Sequence, residues 1–239
     1  MEGKNLEANL GSANLTESIW YDSQGNELQS NNIEKEHWDK WSTIFKLMQT
    51  HENRNVDRDI FYTEFGGWDH HKLMKNGIRP LFQGINHGLT LFVEQLKDAG
   101  LWDQTAIVFV SDFGRTITPN SNDGSDHGWG GHYFMAGGRV KGGEILGEYP
   151  YDITKPGPLN VGRGRIMPTT PWEAVWSGVV EWLGVDPADI DTCLPNAVNT
   201  VDETFQLFSK ADLFHSDPDD TVGVRRKSLR QGNVFHNNP

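Results

Sequence analysis

The feature that most restricts how this chain can fold is an apolar helix flanked by two short runs rich in β-branched and aromatic residues. Leu81, Phe82, Ile85, Leu89, Phe92, Val93 and Leu96 recur at three- and four-residue steps, with Pro80 at the start, Lys97 in the last turn and Gly100 as the stop, which predicts a helix over 81–99. Ile60–Phe65 (IFYTEF) ahead of it ends at Gly66-Gly67 and reads as a buried strand. Thr105–Val110 (TAIVFV) behind it is a continuous apolar run of the kind found in parallel sheets covered on both faces. Strand, helix and strand make a βαβ unit with a right-handed crossover, so the loops after the two strands should emerge side by side. In open α/β sheets, ligands bind outside those carboxyl ends.

Two of three polar clusters sit where this topology would put a site. EFGGWDHH spans 64–71, SDFGR spans 111–115, and GSDHGWGGH spans 124–132; five of the nine histidines fall between Glu64 and His132. Asp and His are donors for divalent ions, and glycine lets the backbone turn tightly around a ligand. A third strand is expected over 132–136 (HYFMA), and it would bring the GSDHGWGG loop to the same region if that loop folds back. In Asp69-His70-His71 the side chains alternate, so Asp69 and His71 can point one way while His70 points the other. The alternative is a strand-end Asp that caps its loop beside two exposed histidines. Asp112 taken alone suits an N-cap or Asx turn. Asp126-His127 lies among glycines at 124, 128, 130 and 131, which suit either a ligand loop or a plain turn. Arg115 and Arg165 have the planar fork that grips anionic groups, although such arginines also satisfy local carboxylates. His132 and His87 read as structural.

The remaining elements follow the same patterning. Trp38, Trp41, Ile44, Phe45 and Met48 predict an amphipathic helix over 33–49. Residues 137–147 (GGRVKGGEILG) read as hairpin-like, and 148–168 as a Pro/Gly connection that ends in GRGR. Thr170 opens a helix with a capping box to Glu173 and Pro171 at its first position, and Gly184 closes it. Residues 1–30 and 216–239 are polar and without periodicity, which leaves one α/β domain over 31–215.

Composition narrows the partners. The 239 residues carry a formal charge of −12, which argues against a nucleic-acid surface and against anionic membranes. No apolar run approaches the ~20 residues of a membrane span, and the first residues lack signal-peptide organisation, so the chain reads as one that stays in the cytoplasm. The single cysteine, Cys193, excludes an internal disulfide and a cysteine-rich zinc site.

The motifs GGWDHH, SDFGRT, GSDHGWGGHYFMAGGRVKGG and GRGRIMPTT, followed by a WLGV helix end, resemble the carboxyl half of the "domain of unknown function 1501" family over about 60–200. That family is related to the alkaline phosphatase superfamily, which includes sulfatases. The resemblance implies an α/β/α sandwich with a mostly parallel sheet and a metal-dependent hydrolase of phosphate or sulfate esters acting on a small anionic ester. It implies divalent metal (zinc, manganese, magnesium or calcium) held by Asp69, His71, Asp112 and His127, and Arg115 and Arg165 are, by their planar forks, the candidates to bind the anionic substrate. His70, Asp126 and His132 are secondary candidates. At the strand end the superfamily's SDHG is SDFG here, so Phe113 replaces a ligand His. A first-strand Asp and a Ser or Thr nucleophile have no counterpart in residues 1–59, where Ser12, Thr16, Ser18 and Ser23 lie in unpatterned sequence. The chain therefore reads either as the carboxyl-terminal part of such a hydrolase or as a non-catalytic descendant that keeps one metal position, prone to self-association at an open sheet edge.

Overall fold

A computed structural model of the chain describes residues 32–149, 157–197 and 207–216. The polar lead-in over 1–30 and nearly all of the polar tail lie outside the described residues. The chain divides into two compact units: one comprises residues up to Gly138 together with Glu144–Trp172, the other Arg139–Gly143 together with the residues from Glu173 onward.

The first unit is built on two helices, α1 (Asn32–Gln49) and α2 (Met74–Asp98). Trp41 and Phe45 lie one turn apart on α1, and Phe92 and Leu96 one turn apart on α2, so each helix offers a single apolar stripe. The four are buried together, and the Trp41 and Phe92 rings stand 4.8 Å apart. Gly88 allows this approach, because a Cβ there would lie 3.0 Å from the Trp41 indole. Helix α2 ends as expected: Gly100 takes φ +69° and Leu101 N–H donates to the Leu96 carbonyl. Its start differs from the sequence expectation. The helix begins at Met74 and runs through Pro80, since Leu73 and Met74 donate backbone hydrogen bonds to the carbonyls of Asn122 and Asp123. A long-range loop contact thus outweighs the one helical bond that Pro80 cannot make.

Two strands follow, β1 (Ala106–Phe109) and β2 (Phe134–Gly137). They fall within or beside the two apolar runs expected at 105–110 and 132–136, but they pair antiparallel, with Ala106 opposite Gly137 and Phe109 opposite Phe134. Among the described residues no parallel pair of strands is present. Residues 60–65 alternate between exposed and half-buried, as an extended run does, yet they join no ladder, so the expected strand there is not formed. Phe65 still reaches the core, 5.6 Å from the Trp41 ring.

The second unit holds α3 (Trp172–Trp182), whose first residue belongs to the first unit, and two single-turn helices, α4 (Ile190–Cys193) and α5 (Lys210–Leu213). Helix α3 starts two residues after Thr170 and is closed by Gly184 at φ +85°. The glycine-rich segment expected to form a hairpin pairs elsewhere: Lys141 donates to the Leu213 carbonyl and His215 to that of Arg139. Leu213 fits against Gly178 of α3, where a Cβ would come within 2.6 Å of it. Among the described residues no helix is long and apolar enough to cross a membrane.

Candidate metal centre

Three loops meet beside the amino-terminal end of α2. The loop after β1 and the loop before β2 bridge antiparallel at Arg115 and His127, with Gly128 N–H donating to the Gly114 carbonyl at 2.7 Å. A side chain at Gly114 would collide with the Gly130 carbonyl at 1.9 Å, which explains the glycine. The loop carrying Asp69-His70-His71 docks on the same pair, as Ser125 N–H donates to the His70 carbonyl and the Asn120 amide donates to that of His71.

Asp69, His71 and His127 converge there. His71 Nε2 and His127 Nε2 are 3.2 Å apart, and each lies 3.0 Å and 2.9 Å, respectively, from Asp69 Oδ1. A tetrahedral ion with bonds of ~2.1 Å keeps neighbouring donors ~3.4 Å apart, so this triangle is close to the size of three ligands around one cation. Without an ion the same contacts serve as hydrogen bonds, provided the ring tautomers suit. The three side chains are about half exposed, which leaves the outer face open to water or substrate.

A second layer orients them. Asp126 Oδ1 stands 3.5 Å from His71 Nδ1, on the far side of the ring from the cluster. That is the carboxylate–histidine pattern that fixes an imidazole tautomer and leaves Nε2 free for a metal. The Asn120 amide donates to Asp126 at 3.1 Å and Arg163 pairs with it at 2.5 Å. The Asn120 hydrogen bond foremost, then the charge of Arg163, holds the Asp126 carboxyl below the usual carboxylate range. Asp69 is likewise lowered, first by its hydrogen bond from Arg115 and then by that from His127. Phe113 stacks on the His127 ring at 4.0 Å and so sets its plane.

The other candidates are placed differently. Arg115 uses four of its five N–H donors inside the protein, bonding Asp69, the Ser125 hydroxyl and the carbonyls of His70 and Ser125. It ties the loops together. His70 turns away from the cluster into a niche at Gly77, where a Cβ would lie 2.2 Å from its ring. Asp112 is not among the three converging donors; it stands near Tyr62, whose hydroxyl is raised first by its hydrogen bond to Glu64, and near Tyr133, raised first by burial, and its charge adds to both. His132 stacks on Tyr149 at 4.9 Å. Among the described residues the Arg165 side chain has no hydrogen bond or ion pair, while its neighbour Arg163, at φ +57°, is the arginine of GRGR that reaches the site. The sequence signal was present in GRGR, but only the turn decides which arginine points inward. Asn120 and Ser125 carried no signal of their own.

Three protein donors with an open face and an oriented imidazole define the class as a candidate mononuclear metal centre. Residues 46–157 match the family described as "Protein of unknown function (DUF1501)", a stretch that contains Asp69, His71 and His127. No curated protein and no solved structure matches the chain.

Proposed function

We propose that Asp69, His71 and His127 bind one divalent cation, and that the chain is a metal-dependent hydrolase of phosphate or sulfate esters or the carboxyl-terminal part of one. The observation that carries the metal is the convergence of the three donors, with Asp126 behind His71. The donor set of one carboxylate oxygen and two imidazoles suits zinc or manganese better than calcium, which prefers oxygen. The ester substrate and the kinship with alkaline phosphatases and their α/β/α sandwich rest on the motif resemblance.

A cation held there would supply positive charge to polarise an anionic ester and to activate water. Asp69 supplies the anionic ligand, and its low proton affinity keeps it available. Arg115 braces Asp69 and adds charge at the rim of the site. Asp126, 3.5 Å from His71 Nδ1, is placed to favour the tautomer with its proton on Nδ1, which would leave Nε2 as the donor atom toward the cation.

A second reading, a non-catalytic descendant that retains the metal position, is favoured by one observation. Among the described residues no Ser or Thr hydroxyl hydrogen-bonds to the three donors. The Ser125 hydroxyl is engaged by Arg115 and Met74, and that of Ser111 by the Phe113 carbonyl. Metal analysis and titration of the purified protein, together with turnover of aryl phosphate and aryl sulfate, separates the readings. About one equivalent of metal, lost in His71→Ala, with turnover is expected for the hydrolase. Metal without turnover leaves the binding descendant, and absence of metal overturns both.

A further inference from the structure

We infer that residues 58–64 form a self-complementary edge through which two copies of this chain pair as antiparallel strands. Ile60 and Tyr62 are 82% and 79% exposed, an unusual placement for two large apolar side chains on one face of an extended run. Phe61 and Thr63 on the other face are half-buried, so the run is already seated on its own protein and needs a partner only along its edge. Among the described residues no backbone group of Asp59, Phe61 or Thr63 has a hydrogen-bond partner. Unpaired edge groups of this kind are templates for strand addition.

The register follows from charge. With a two-fold axis at Phe61, Ile60 lies opposite Tyr62 of the second copy and Arg58 lies opposite Glu64, on both sides of the axis. Arg58 is exposed and has no ion pair among the described residues, and the Glu64 carboxylate meets only the Tyr62 hydroxyl at 2.5 Å. Shifting the register by one residue would place apolar side chains on the wrong face. The hydrogen-bond polarity agrees as well. Backbone groups of alternate residues point to opposite edges, and the Lys40 ammonium already donates to the Glu64 carbonyl at 2.5 Å. That contact caps the even-numbered edge at Glu64, whereas the edge of Asp59, Phe61 and Thr63 carries no such contact among the described residues and can exchange bonds across the axis. Ile60 and Tyr62 then form a non-hydrogen-bonded pair, the closer kind, in which side chains meet best. An interface carried by one short strand per copy falls below the ~1,000 Å² of a stable dimer, so association should depend on concentration. The inference stands apart from the metal reading and survives its failure.

Sedimentation of the full chain over rising concentration tests it, with Arg58→Glu and the charge-swapped Arg58→Glu/Glu64→Arg as variants and near-ultraviolet circular dichroism to verify folding. The wild type should shift from monomer to dimer, Arg58→Glu should weaken association at least tenfold, and the charge swap should restore it. In a Cys193→Ser background, a mixture of the Ile60→Cys and Tyr62→Cys proteins should cross-link faster than either alone. A wild type that stays monomeric overturns the inference. So does association indifferent to the charge of residue 58.

Discussion

Asp126 shows how much of the candidate centre depends on a residue that is not itself one of the three donors. Its carboxylate holds His71 from behind and is held in turn by Asn120 and Arg163. Replacing Asp126 by Asn should therefore lower metal affinity about 10- to 100-fold while the fold persists, as isothermal titration would read. Gly124 gives a harsher test. A Cβ there would sit 2.2 Å from the His71 carbonyl carbon, so Gly124→Ala must push the His71 backbone aside. Loss of metal uptake in a protein with unchanged far-ultraviolet circular dichroism is the expected result. At this scale the sequence was informative where chemistry and local geometry coincide: alternation in Asp69-His70-His71 set two side chains on one side, and His70 does turn away. It was silent on Arg163, because GRGR offers two equivalent arginines and only a positive φ selects between them.

Elements were legible when their determinants are local. The apolar stripes of α1 and α2 and the Gly100 stop are written in consecutive residues, and Leu96, fully buried where the two helices meet, should cost about 2–5 kcal/mol when cut to Ala. What distant partners decide was not legible: the runs that became β1 and β2 could be read, but not their antiparallel pairing. IFYTEF has a strand's composition, but composition cannot supply the neighbour that completes a ladder. The early start of α2 depends on Asn122 and Asp123, nearly fifty residues further on. Helix α5 offers a pH test at the same scale. Ser209 and Asp212 form a reciprocal capping box, and the backbone and hydroxyl donors of Ser209 hold the Asp212 carboxyl below its ordinary range. A lowered native value means the stabilisation is complete above the unfolded carboxylate range and disappears as pH falls through the native one. Asp212→Asn should thus be destabilising at neutral pH and indistinguishable from wild type in strong acid, as paired urea titrations would report.

At the scale of the whole chain, patterning reads as a single α/β domain over 31–215, and the described residues gather into two compact units, with two antiparallel strands in the first. The division falls at the two ends of the glycine-rich 139–143 segment and at the start of α3, where the sequence offered no boundary to read. The three donors belong entirely to the first unit, and Asp69 and His127 are 58 residues apart in sequence. A cation gripped by both would close that long stretch of chain upon itself, restricting the unfolded ensemble as a removable clasp does. Metal at a hundredfold excess over its dissociation constant should raise the unfolding free energy of this unit by about 2.7 kcal/mol, and a chelator should return it. Calorimetry with and without chelator would then see one transition move while any transition of the second unit stays fixed. The loops would be, in effect, a seam that the ion fastens.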